Sequence, residues 1–149
     1  MSRTRPPLHT LIVHFPFVLL GMSFVFDVAS IWRGPTLVEA ALFNLVAGLA
    51  AAAAAAVTGW WDYFTRLPAH STARRIARWH ASANALAVAL FVCSLIERWP
   101  SRGIAFTTPR LPFVLSALGV AILGIAHYLG GLVDYELVIT TRRQSPDAH

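Results

Sequence analysis

The chain has 149 residues, of which 56% are hydrophobic and only 13% charged, and its formal charge is +5. A soluble domain usually carries about 25% charged residues, and here the charges cluster between long apolar runs, which excludes an ordinary soluble globular fold. The twelve cationic residues are all arginine and flank those runs, a placement that fits membrane topology and not nucleic-acid binding.

Four stretches reach the length of about 20 mostly apolar residues that a membrane helix requires: 8–32, 36–61, 76–99 and 111–133. Gly34-Pro35 ends the first, Pro68 sits in the second connection, and Pro100, Gly103 and Pro109 punctuate the third. Trp32, Trp60, Trp61, Trp79 and Trp99 all fall near span ends, where indole favours the headgroup layer. The expected fold is therefore all-α: a four-helix transmembrane bundle of up-down topology, one membrane domain over 1–149, with 134–149 as a polar C-terminal tail. Arg3 and Arg5 before an apolar run resemble a signal peptide. However, His9, His14 and Pro16 interrupt that run, and Asp27 would occupy the −3 position of a cut after Ala29. The first span reads as a retained helix. Cys93 lies inside the third span and has no second cysteine to pair with.

Let side A be the membrane side that holds the N-terminus. It carries eight arginines: 3, 5, 66, 74, 75, 78, 142 and 143. Side B carries four: 33, 98, 102 and 110. The positive-inside rule then places both termini in the cytoplasm of a bacterial inner membrane. Close packing in lipid needs small residues. Asn44, Gly48, Ala51, Ala55, Gly59 and Asp62 form one small face on the second span, and Gly124, His127, Gly131 and Asp134 form another on the fourth. Both stripes read first as tight helix contacts, and second as room for a flat cofactor.

Of the six histidines, His70 lies in a connection and His149 ends the chain. His9, His14, His80 and His127 lie in spans, all in the side-A half, with Asp62 at the same level. His14 and His127 fall roughly 9–10 Å deep at 1.5 Å per residue. Ionisable groups within a membrane are costly and usually face the bundle interior or a cavity. Two imidazoles on facing helices can supply both axial ligands of a haem iron. Arg66, Arg74, Arg75 and Arg78 stand where propionates would emerge, and guanidinium pairs with carboxylate bidentately. A divalent metal, a proton relay or quinone pocket, and plain helix-to-helix hydrogen bonding are the other chemistries open to this set. Asn84, four residues after His80, would serve the last equally well. Asp27, Asn44, Glu97, Arg98 and Arg102 gather towards side B and read as interfacial pairs or polar helix glue.

The segment HTLIVHFPFVLLGMSFVFD, with His9, His14, Phe15, Pro16 and Asp27, resembles the opening of the bacterial membrane family known as domain of unknown function 2231. Gly59 and Asp62, His80 with Asn84, and Leu129-Gly130-Gly131 resemble its later features. The resemblance covers nearly the whole chain and supports the fold more than any activity, since the family has none established. Fusion of some relatives to electron-transfer domains implies a redox context. His127 departs from the family pattern, which usually has a small residue there, so His14 and His80 are the favoured iron ligands.

These readings converge on a membrane protein binding haem b, an electron carrier or accessory subunit that meets other membrane redox subunits or quinone. The alternatives are a cofactor-free subunit of a larger membrane complex and a quinone- or proton-handling protein. No nucleophile–base pair, phosphate loop or zinc-protease motif is present, so an enzyme acting on its own is not expected.

Overall fold

The structure, a computed structural model, describes residues 12–144, with side chains from 12 to 139. Four helices account for nearly all of it: α1 (His14–Arg33), α2 (Pro35–Thr65), α3 (Thr72–Arg98) and α4 (Arg110–Gln144). A short 3-10 turn, Trp99–Ser101, follows α3. No strand occurs among the described residues. All four helices are long and apolar enough to cross a membrane. Even α1, with 20 residues, spans roughly 30 Å at 1.5 Å per residue, the thickness of the hydrocarbon core.

The helix ends follow local chemistry. Only Gly34 separates α1 from α2. Its φ of 80° and ψ of −161° lie in a region that is essentially glycine's alone, and Pro35 then opens α2 at a position where its missing N–H costs nothing. Ser71 caps α3, its Oγ accepting from the Arg74 N–H at 3.1 Å. Three helices run further than the apolar spans. α2 continues past Trp61 to Thr65, α3 starts at Thr72, and α4 continues into the segment expected to be a polar tail. Hydropathy marks where lipid ends, whereas a helix stops only at a breaker, and no proline follows Pro112 until Pro146. Pro16 falls in the first turn of α1, so it removes no bond from that helix's interior and need not kink it. Residues 8–11, His9 included, lie outside the described residues.

α1 packs along α2, and α3 along α4; the two hairpins meet more lightly, through the α1–α4 and α2–α3 seams. Among the described residues α1 and α3 make no close backbone approach, so they sit diagonally, as do α2 and α4. The core is Leu20, Leu45, Ala87, Phe91 and Leu123. Large apolar residues also cover the outside, among them Phe43, Val57, Leu86, Ile96 and Ile125, as lipid permits. Two glycines make the core possible. A Cβ at Gly48 would stand 2.7 Å from Leu20 Cδ2, and one at Gly119 would stand 2.9 Å from Phe91 Cε2. Gly48 and the buried Ala55 belong to the small stripe expected on the second span. The stripe on the fourth span is a correction. Gly124, His127, Gly131 and Asp134 are exposed, and a Cβ at Gly124 or Gly131 would meet nothing within 4 Å. The contact glycines of α4 are Gly119 and Gly130, one helical face away.

Candidate functional site

Two polar constellations occupy opposite ends of the bundle. At the side-A end, α1, α3 and α4 each bring a histidine. His14 and His127 are exposed on the α1–α4 seam with ring centroids 6.4 Å apart, edge to face. Phe17, one turn on from His14, stacks on His127 at 4.5 Å. His80 is half-buried, and its Nδ1 lies 2.7 Å from the carbonyl oxygen of Ala126 on α4. A carbonyl can only accept, so Nδ1 carries the proton and Nε2 holds the lone pair. Asn84 Nδ2 approaches that Nε2 at 3.2 Å and also donates to the His80 carbonyl at 2.9 Å. The Ala126 carbonyl, and not Asn84, therefore orients the ring.

Gly130 is the floor on which this imidazole rests. A Cβ there would stand 3.0 Å from His80 Cε1, so the space that glycine leaves is already filled by a side chain. The arginines expected as an anion clamp divide by role. Arg66 pairs with Asp62 at 2.9 Å, four residues earlier. Arg74 turns back, donating to the Leu67 carbonyl at 3.2 Å and lying over the Tyr63 ring at 4.5 Å. Arg75 and Arg78 are exposed. No group of three or more His, Cys, Asp or Glu side chains placed to hold a metal ion occurs among the described residues.

The side-B constellation is better built. Asp27 on α1 is fully buried, and Arg98 at the end of α3 is 3% exposed. The guanidinium reaches across the diagonal and binds the carboxylate with both ends, Nη1 to Oδ1 at 2.9 Å and Nη2 to Oδ2 at 3.0 Å. Thr108, in the α3–α4 connection, donates to Oδ1 at 2.6 Å. Nη2 also lies 2.9 Å from Ser94 Oγ and from Ser116 Oγ. Ser94 in turn donates to the Pro112 carbonyl, and the two serine hydroxyls are 2.9 Å apart. Asp27 and Arg98 were legible as polar glue; the ring of Ser94, Thr108 and Ser116 was not. Its one signal in the sequence is the spacing Ser94–Arg98, which puts hydroxyl and guanidinium on one helix face.

The family described as predicted membrane protein, DUF2231, matches residues 5–143. The chain belongs to that family. No curated protein and no solved structure matches it. Within the family's frame, the residues that carried the resemblance now have structural tasks. In this DUF2231 protein Asp27 anchors Arg98, Asn84 approaches His80 Nε2, and Gly130 seats the His80 ring.

Proposed function

We propose that this DUF2231 protein binds one b-type haem at its side-A end and serves as an electron carrier or accessory subunit of a membrane redox complex in the bacterial inner membrane. The observation that carries the reading is the bond from His80 Nδ1 to the Ala126 carbonyl. An iron-ligating histidine characteristically donates its second ring nitrogen in this way, which fixes the tautomer and leaves Nε2 basic. Iron at Nε2 would displace the approach of Asn84, whose amide keeps its bond to the His80 carbonyl. His14 is the proposed second ligand and His127, its neighbour at 6.4 Å, the substitute. Bound haem would supply one-electron chemistry; the chain's part is to set the histidine tautomer and to offer Arg75 and Arg78 to the propionates. Quinone or another redox subunit is the proposed exchange partner.

The orientation proposed is cytoplasmic termini. The arginine bias of eight on side A to four on side B supports it. Reporters fused at Gly103 and at the C-terminus should land on opposite sides, the latter in the cytoplasm.

The deciding experiment is the reduced-minus-oxidised absorption spectrum of the purified protein and of its His14→Ala, His80→Ala and His127→Ala variants. Loss of a low-spin haem band in the first two, with retention in the third, supports the assignment. Loss at His14 and His127 moves the pair to the α1–α4 seam. A wild type without any haem band ends the reading. It would leave the His80–Ala126 bond as interhelical polar glue, which suits the cofactor-free subunit.

A further inference from the structure

Arg98 satisfies its two terminal nitrogens but not its third. The Nε–H is buried and has no partner within the protein. The same residue lines a recess of about 20 Å³ at the side-B end, walled by Glu39 and Leu42 of α2 and by Ser101, Gly103 and Thr108 of the α3–α4 connection. That volume suits a single water molecule. Gly103, at φ 77°, sets the turn of the connection on this side.

Donor and acceptor arithmetic identifies the occupant. Thr108 Oγ1 has given its proton to Asp27 Oδ1, and Ser101 Oγ has given its proton to the Arg98 carbonyl. Glu39, when ionised, has no proton to give. The recess thus presents a buried donor without a protein partner, Arg98 Nε, beside the acceptors Ser101, Thr108 and Glu39, with the exposed Arg102 guanidinium also on its wall. A space of water size that holds both donors and acceptors suits a neutral molecule that accepts and donates at once, and the Glu39 carboxylate on the wall disfavours an anion. A metal or ammonium ion could not accept from Nε–H. We propose that the recess is a binding site for one water, which accepts from Arg98 Nε and donates to two of Ser101, Thr108 and Glu39. This water would link the aqueous side to the Asp27–Arg98 pair, and it enters from side B, between α2 and the 99–109 connection.

The test is NMR of the protein in lipid nanodiscs with 15N-labelled arginine. The Arg98 Nε–Hε signal is identified through its contacts with Ser94 and Ser116. The expected result is a cross-peak from Hε to long-lived water that is lost in Leu42→Phe, where the larger ring fills the recess, while the Nη signals of the ion pair remain. Should Leu42→Phe not fold, Ser101→Ala removes an acceptor without adding bulk, and the cross-peak should weaken through faster water exchange. Three outcomes overturn the proposal: an Hε with no water contact, a water cross-peak unaffected by either variant, or a saturable shift of Nε on titration with chloride or formate, which would make the recess an anion site.

Discussion

The two ends of this bundle each hold a group of polar side chains, one buried and the other largely exposed. At side B every oxygen of the Asp27 carboxylate and both terminal nitrogens of Arg98 are engaged, and the cluster is buried. At side A, His14 and His127 stand exposed on a lightly packed seam, and His80 is half-buried with its Nδ1 bonded to the Ala126 carbonyl. A buried ion pair joined at both ends fixes a geometry, because neither partner can leave without stranding the other. Exposed imidazoles on a thin seam do not fix a geometry in this way. The side-B cluster is thus the part that holds the hairpins together, and the side-A cluster is the part to which the proposed haem site is assigned.

Breaking the first half of that contrast should have the largest effect. Arg98→Ala leaves Asp27 buried and alone, and should cost about 3–5 kcal/mol of unfolding free energy, measured by denaturant titration in mixed micelles. Replacing both partners, Asp27→Leu with Arg98→Leu, should recover most of that loss. Equal losses from the double and the single variants would mean that the pair does not act as a unit. Asp27→Asn should destabilise the fold without shifting any haem band in the fraction that remains folded.

Next in size is Gly48→Val. Its added carbons would enter the space of Leu20, and overpacking of this kind costs about 1–3 kcal/mol, read in the same titration. At the other end the expected changes are smaller. His80→Ala in cofactor-free protein loses one interhelical hydrogen bond, worth about 1 kcal/mol. His14→Ala and His127→Ala should change stability by less than about 0.5 kcal/mol, as exposed substitutions do. A large loss at either would show that the side chain is part of the packing between α1 and α4.

The finest distinction is between adjacent glycines. Gly130→Ala would press on the His80 ring, so it should weaken the bond to Ala126 and shift any His80-dependent spectral band. Gly131→Ala meets open space and should be neutral, or stabilising by up to about 1 kcal/mol through helix propensity. Like behaviour from the two would remove the argument that Gly130 seats the imidazole.

How much of this could be read in advance depended on the length scale of the signal. The four spans were legible because a run of apolar residues averages over many positions, and the Gly34-Pro35 break was legible because few conformations suit it. Pairing across the diagonal was not. Asp27 and Arg98 are separated by 71 residues, and nothing in their local sequence states that a long guanidinium will cross the bundle. The glycine faces were half legible. Gly48 and Ala55 share a periodic face that does pack, but Gly124 and Gly131 follow the same rule and point outward. Periodicity says which residues share a face, and the neighbouring helices decide whether that face is covered. For the histidines, depth was readable from helical rise, whereas the partner of each ring depended on which helices became neighbours. That is why His127, and not His80, is the ring placed beside His14 on the seam.

The separation of Asp27 from Arg98 also bears on how the protein is made. A ribosome adds about 5–20 residues per second, so Asp27 leaves it roughly 4–14 seconds before Arg98 does. For that interval the first hairpin reaches the membrane with its carboxyl group unpartnered. Its partner joins it only with the second hairpin. Arg98 faces no such delay, because its partner is already in place when α3 inserts. The order of synthesis therefore presents the less costly of the two charges first, since a carboxylate can shed its charge by taking up a proton and a guanidinium cannot.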